Sequence, residues 1–367
     1  MRVVDKIRPP NLIISARMAA TASTLYPKVT QHVSAVVKTL HTLHHESGSA
    51  DKTPLEPVPL VGLVKLHGTH ADILVYNDDR IILQSKNVSN LTTANDNCGF
   101  AAAMTDKTAT ILDIRDKYIA RWTTLNPNTS LDRTCPVLIA GEWIGTTIQK
   151  YVAVSQLSRR FVIISVAINN AWIDDSQYPS IEAPGSAIYN ISCGGRFTAT
   201  LYPDDIRRTL AEVEKLAEEV AASCPFAASF GIIGEGEGIV WKPVPSHLNF
   251  NPALWFKTKG GRFKPTFAPA PKTLPVDQQE KRDAADAVAK IWCTEERLQQ
   301  GWDFLKEIGV ERDMKGLRRY LKWVQDDVLT EEKAYIEENG FDEVMLKISI
   351  AKIARVWYVR SVGLGKE

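Results

Sequence analysis

Apolar residues recur at two different spacings along this chain, and the change from one to the other divides it. Between Val61 and Leu83 they crowd into short runs that read as strands, with a hairpin turn at Asn77-Asp78-Asp79. Pro136 to Ile148 and Phe161 to Trp172 are of the same β-rich kind. Helical spacing takes over in Val29–Leu43, through Val33, Val36, Val37, Leu40 and Leu43, and again in Asp106–Trp122. Asp204–Ser223 is the plainest helix. Ile206, Leu210, Val213, Leu216 and Val220 make its apolar stripe, Asp204 or Asp205 caps it, and Cys224-Pro225 stops it. Glu46 to Pro59 is polar and carries prolines, so it reads as a loop. Past Phe263, Pro265, Pro269, Pro271 and Pro275 keep the chain extended. From residue 277 to about 362 the composition shifts to Ala, Glu, Lys and Leu with no strand-like run. The divisions predicted are an N-terminal extension over 1–58, a catalytic domain over 59–263, a Pro-rich linker over 264–276 and a helical domain over 277–367.

Four segments of the 59–263 stretch carry groups suited to chemistry. The first is Lys65-Leu66-His67-Gly68, at the end of an apolar run that makes Lys65 unlike a solvent-facing lysine. The glycine lets the backbone approach a bulky substrate closely. The second is Gly141-Glu142-Trp143-Ile144-Gly145, continuing to Gln149, with its carboxylate at a strand end or turn. The third is Gly236-Glu237-Gly238-Ile239-Val240-Trp241-Lys242, where Glu237 and Lys242 flank a short apolar strand. The fourth holds Lys257 and Lys259, which a strand would place on one face.

Together these residues suit nucleotidyl transfer. Lys65 is the expected nucleophile toward the α-phosphate of a nucleoside triphosphate. Lys242, Lys257 and Lys259 would hold phosphates, and their positive field would depress the pKa of Lys65. Glu237 would take a divalent metal, a hard cation that prefers oxygen, and Glu142 would accept from a ribose hydroxyl.

On these motifs the chain resembles the covalent nucleotidyltransferases, the superfamily of ATP-dependent ligases and mRNA capping enzymes. K-x-H-G-T at Lys65–Thr69 and E-x-x-G-x-x-x-Q at Glu142–Gln149 resemble the RNA ligase 2 group of phages and the trypanosome RNA-editing ligases. The resemblance spans roughly residues 60 to 263. It implies an α+β fold, a nucleotidyltransferase domain of ATP-grasp-like antiparallel sheets with helices, joined here to a C-terminal all-helical domain. By the same resemblance Lys65 carries AMP, and His67 is required for ligation. Lys65, Gly68, Lys86, Glu142, Phe161, Glu237, Lys242, Lys257 and Lys259 are the implied nucleotide-binding set, with Lys65, His67, Lys242, Lys257 and Lys259 catalytic and Glu237 on the metal. Lys86 stands where the group has an arginine and loses the bidentate fork. His70 stands where the group has asparagine. Phe161 is the aromatic nearest the motif that stacks on adenine.

The implied activity is ATP-dependent joining of RNA 3′-hydroxyl and 5′-phosphate ends with Mg2+ or Mn2+, through lysyl-AMP and adenylylated RNA, in RNA repair or processing. The rival readings are a nucleotidyltransferase with a non-RNA acceptor and a catalytically vestigial RNA-binding protein. A helical appendage in place of a β-barrel resembles the RNA ligase 2 branch. Nothing resembles a nicotinamide-nucleotide-binding module, and there is no P-loop of a fused kinase.

Charge and cysteines narrow the partners. Net charge is +1, so RNA binding needs a local patch. Lys315, Arg318, Arg319 and Lys322 fall on one helical face and are the candidate clamp on an RNA backbone, with Tyr320 and Trp323 off that face. The five cysteines are scattered with no C-x-x-C, which argues against disulfides and structural zinc and suits an intracellular compartment, cytoplasm or nucleus. Arg2, Lys6, Arg8 and Arg17 faintly resemble a mitochondrial transit peptide, which Asp5 and Pro9-Pro10 spoil. No apolar run approaches a membrane span. His41, His44 and His45 have the spacing of a metal site but read as cations near a helix C-terminus. Gly234, Gly236 and Gly238 read as turn glycines leading into the Glu237 strand.

Overall fold

The computed structural model describes residues 26–46, 55–265 and 278–364. The transit-like N-terminus and nearly all of the Pro-rich linker lie outside the described residues. In chain order the elements are α1 (Val33–Glu46), β1 (Val58–Lys65), β2 (Thr69–Val75), β3 (Ile81–Ser85), α2 (Phe100–Thr105), α3 (Thr108–Leu125), β4 (Val137–Ile144), β5 (Arg160–Ile168), β6 (Ala171–Trp172) and β7 (Ile188–Asn190). There follow β8 (Phe197–Leu201), α4 (Ile206–Ala222), α5 (Pro225–Ala228), β9 (Gly238–Pro243), α6 (Ser246–Asn249) and β10 (Phe256–Lys259). The C-terminal helices are α7 (Gln278–Trp292), α8 (Glu295–Glu307), α9 (Leu317–Glu331), α10 (Lys333–Glu338) and α11 (Glu343–Gly363).

Two sheets and a helical region result, the α+β class that the resemblance implies. One sheet has the antiparallel order β10-β9-β1-β8. The other runs β3-β2-β4-β5-β6 antiparallel, with β7 added parallel to β5. Alternation along each strand sends one set of side chains to an outer core and the other toward the facing sheet. Leu60, Val64, Trp241 and Phe256 pack outward with Val36, Val37 and Leu40 of α1 and Val213 and Val220 of α4. Ala71, Ile73, Val75 and Ile139 pack outward with Phe100 of α2 and Ile111, Ile114 and Tyr118 of α3. Between the sheets lie Val29, Leu74, Leu138, Ala140, Ala167, Trp172 and Trp255, with Tyr26 against them.

Most elements match the periodicity, and the differences have local causes. Helix α1 begins at Val33 rather than Val29, because Thr30 forms a bridge with Phe256 and its carbonyl accepts from the Lys257 amide at 2.8 Å. Asp205, not Asp204, caps α4, accepting from the Arg208 amide at 3.0 Å. The helical region has its own core of Val288, Trp302, Leu305, Tyr320, Val324, Ile350 and Tyr358. Lys315 lies before α9 rather than on it. Asp313 accepts from the amides of Lys315 at 2.9 Å and Gly316 at 3.3 Å, holding them in a turn. No helix among the described residues is long and apolar enough to cross a membrane.

Candidate active site

Strand register assembles the site. In β9, Gly238 lies opposite Lys65 of β1 on one side and Lys259 of β10 on the other. Glu237, one residue earlier, therefore sits between two lysines. Lys65 Nζ donates to Glu237 Oε2 at 2.7 Å, and Lys259 Nζ lies 2.9 Å from Oε1. His67 Nδ1 is 3.4 Å from Oε2, and its ring packs on Phe263 with centroids 4.8 Å apart. Glu237 is 3% exposed, whereas Lys65 and Lys259 are each 24% exposed, so the cations line the open side and the carboxylate is the buried anchor.

Charge states follow from this packing. Burial alone would push the Glu237 carboxyl up, but Lys259, Lys65 and His67 outweigh it and hold the group well below the usual carboxylate range. Burial likewise pulls the Lys65 amine down, yet Glu237 and Glu142 outweigh it and leave the amine above its ordinary value. This corrects the expectation that neighbouring lysines depress it: the nearest partner of Lys65 is an anion, and Lys65 rests here as an ammonium. Lys257 differs. Burial and then the lysines beside it lower its pKa against the pull of Glu331.

The second sheet braces the connection from β1 to β2. Glu142 accepts from the Gly68 amide at 2.9 Å, and Gln149 donates to the Gly68 carbonyl at 3.1 Å. Burial raises the Glu142 carboxyl. One oxygen of Glu142 is thus committed to backbone, a role the sequence did not suggest. Gly68 is needed for this close approach. A Cβ there would meet the Trp143 carbonyl, and Ile144 Cγ2 at 2.7 Å. Gly68→Ala is expected to cost about 1–3 kcal/mol through overpacking. It should also slow any reaction at Lys65, checked by a thermal melt alongside the labelling rate. An unchanged melt would remove the bracing role.

Other expected residues lie elsewhere. Lys242 faces the same cleft farther along β9, opposite Val61. It does not join the Glu237 cluster. Its Nζ pairs with Asp175 at 2.5 Å, reaches Ser165 Oγ at 3.0 Å and sits 3.7 Å over the Trp255 ring. Burial raises the Asp175 carboxyl, partly offset by Lys242. A cavity of only about 20 Å³ lies beside Lys242, lined in part by Val61, Leu63, Asp175 and Arg196. Phe161 does not face the cleft. It is fully buried on the outer side of its sheet, 5.5 Å from Phe100 between ring centroids. The aromatic rings between the sheets are Tyr26, Trp172 and Trp255, in mutual contact at 5.4 to 6.2 Å. Lys86 follows β3 and pairs with Asp327 of α9 at 3.2 Å while lying over the Trp323 ring.

His70 pairs with Asp72 at 2.8 Å. Burial lowers its pKa, but Asp72 more than offsets this and leaves it raised. Among the described residues no group of three His, Cys, Asp or Glu side chains is suited to a metal, the α1 histidines included. On the helical region, Lys315, Arg318 and Lys322 line a groove closed on its other side by Lys347 and Arg355 of α11. Arg319 is exposed but does not line it, and Tyr320 is in the core as expected. Sequence reasoning missed Asp175, Ser165 and the α9 carboxylates Asp327 and Glu331. Each meets its partner across the fold, Lys257 and Glu331 being 74 residues apart and Lys242 and Asp175 67.

Neither a protein-family model nor a curated protein matches the sequence. Among solved structures the chain is similar to Naegleria gruberi RNA ligase. To the form with PPi it is 15% identical, covering 65% of this chain and 56% of that one, with a TM-score of 0.39. To a mutant form with ATP and Mn it is 15% identical, covering 64% and 55%, with a TM-score of 0.38. To an apo mutant form it is 16% identical, covering 64% and 55%, with a TM-score of 0.36. The chain thus spans little more than half the length of these solved chains. Likeness of this degree leaves the chemistry to be argued from the site itself.

Proposed function

We propose that the chain is an ATP-dependent RNA ligase acting by covalent nucleotidyl transfer. The observation that carries the reading is the Lys65–Glu237–Lys259 cluster: an amine held on an anchored carboxylate, with a second cation beside it, at the open side of a cleft between two sheets. A single buried carboxylate bridging two lysines suits a site that exchanges partners when a polyphosphate arrives. Phosphate oxygens then replace Glu237 as partners of Lys259, and Lys65, its proton passed to solvent, attacks the α-phosphorus, forming the N–P bond as the bond to pyrophosphate breaks. The lysyl-AMP phosphoramidate next yields AMP to the 5′-phosphate of an RNA end. A 3′-hydroxyl attacks that adenylylated end, and AMP leaves as the strand closes. Lys257 and Lys259 would stabilise charge on the phosphorane in each step.

Glu237 fits a divalent cation held by one protein carboxylate plus phosphate oxygens, the usual arrangement for magnesium in nucleotide sites. Magnesium or manganese, when bound, supplies charge neutralisation at the reacting phosphate. His67, on Glu237 and Phe263, stands where it can orient that carboxylate or an RNA end.

RNA is the favoured acceptor because of the groove on the helical region, where Lys315, Arg318, Lys322, Lys347 and Arg355 gather. Replacing Lys315, Arg318 and Lys322 together with alanine should weaken RNA binding across sequences. It should also reduce the slope of log affinity against log salt by roughly 0.7 for each phosphate no longer neutralised. An unchanged slope would move the RNA surface elsewhere. The reading as a whole is tested by chasing: enzyme labelled from α-labelled ATP should lose its label to 5′-phosphorylated RNA, not to protein. Label that stays on the chain with RNA but moves to protein would favour the other acceptor class.

A further inference from the structure

Helix α9 presents Asp327 and Glu331 to three lysines of the sheet-forming unit. Glu331 accepts from Lys257 Nζ at 2.7 Å and lies 3.4 Å from Lys28 Nζ. Asp327 lies 3.2 Å from Lys86 Nζ and 3.8 Å from Lys28 Nζ. The lysines come from three separate places in the chain: ahead of α1, just past β3, and in β10. Three ammonium groups drawn together this way repel one another unless an anion sits among them. The anion here is lent by another part of the molecule.

The two sides of this contact are unequal. Asp327 keeps a cation of its own region, Arg297 of α8, whose Nε is 3.4 Å away. Lys28, Lys86 and Lys257 each form an ion pair with α9. The other ties across the boundary are hydrogen bonds and ring contacts, His32 stacking on Tyr335 with centroids 6.3 Å apart. Gln31 donates to Glu332 at 3.0 Å, Asn87 donates to Glu307, and Lys86 stacks on Trp323. Among the described residues, no buried apolar cluster includes residues from both sides, the helical core being built only from residues 285 onward. A contact made mainly of ion pairs and hydrogen bonds exchanges its anions more readily than one that buries an apolar core.

We propose that Lys28, Lys86 and Lys257 form a phosphoryl-binding site at this boundary, and that Asp327 and Glu331 of α9 occupy it as carboxylate surrogates until a phosphate displaces them. The site deepens the ligase reading and rests on it for Lys86 and Lys257, which both share. Lys28 and the two carboxylates are new to it. The ligand chemistry is a phosphoryl group carried either on a nucleotide polyphosphate tail or on the 5′ end of RNA.

The test needs no turnover. Tripolyphosphate is titrated calorimetrically into wild type and into the Asp327→Asn, Glu331→Gln double variant, whose side chains keep their shape and lose their charge. The double variant should bind at least tenfold tighter, and adding Lys28→Ala should reverse most of that gain. In wild type, tripolyphosphate should speed hydrogen exchange of amides in 317–331. Equal or weaker binding by a folded double variant would overturn the proposal, as would wild-type binding that leaves α9 exchange unchanged. If the double variant does not fold, the wild-type exchange result decides. Parallel titrations with 5′-phosphorylated and 5′-hydroxyl oligoribonucleotides separate the sources. A preference for the phosphorylated end that Lys28→Ala removes assigns the site to RNA, and response to tripolyphosphate alone assigns it to the nucleotide tail. Binding of neither would overturn the site. A chain that releases α9 on binding tripolyphosphate yet never takes label from ATP would keep this site and lose the ligase reading.

Discussion

Lys65→Ala should leave no detectable label on the protein after incubation with α-labelled ATP and magnesium, while wild type labels and survives denaturing electrophoresis. The neighbouring amines have other roles in this reading: Lys259, across Glu237, and Lys257, on Glu331, are the cations that meet the phosphates. Protein purified already adenylylated is recognised by its labelling only after pyrophosphate treatment. If wild type still fails to label then, the vestigial RNA-binding reading takes the lead. The pH profile adds a second readout. Lys65 is raised above its ordinary value by Glu237 and Glu142 against its burial, so at neutral pH it is held as the ammonium. Labelling should therefore climb roughly tenfold per pH unit from pH 7 toward 9 unless another step limits it. The sign for stability is opposite at the two partners. The raised Lys65 contributes fully below the ordinary lysine pKa and loses its contribution as pH rises through the folded value. The depressed Glu237 contributes above the ordinary carboxyl pKa and loses it as pH falls through the folded value. The pair thus supports the fold across neutral pH and fails at both extremes.

Glu237→Gln should be the most damaging single change that keeps the nucleophile. It leaves Lys65 and Lys259 facing each other without the anion between them. Removing one partner of a fully buried pair costs about 3–5 kcal/mol, and the partial exposure of both lysines reduces that to roughly 2–3 kcal/mol. A thermal melt checks this part. Labelling should fall by more than about a hundredfold through loss of the carboxylate that fits a metal. What labelling survives should shift its pH dependence downward, because Lys65 has lost the partner that raised it most. Near-wild-type labelling with an unshifted profile would show that Glu237 only fastens strands.

Much of this site was legible because strand chemistry is local. The two-residue spacing of Lys257 and Lys259 fixed a shared face, and β10 carries both toward the cleft. The E-G start of the third segment placed Glu237 at a strand entrance, and β9 begins one residue later. Phe161 was misread because a strand position does not reveal which face is which: the β4–β5 register shifts between Ala140 and Gly141, and parity cannot be carried through a bulge. Lys242 was grouped with Lys65 on motif alone. In the fold its partner is Asp175, which follows the short β6 strand and carries no local signal. The charge state of Lys65 was misjudged because counting cations along the sequence omits the carboxylate that register brings nearest. The α9 carboxylates were invisible for the same reason that they matter, since nothing near residue 327 or 331 in sequence points to a lysine 241 or 74 residues away.

The clamp on Gly68 has a mechanical consequence. Lys65 belongs to one sheet, but three residues later the backbone is gripped at its amide by Glu142 of the other and at its carbonyl by Gln149, in the turn that follows β4. His67 rides on the short span between, so its backbone is tied toward the second wall while its side chain meets Glu237, the partner of Lys65. The alignment of Lys65 and His67 is a measure of how far apart the walls stand. The spacers that set that width are Trp172, Trp255 and Tyr26. Thinning one of those rings alters the reach between Lys65 and His67 without touching either, much as a shim resets the gap of a vice.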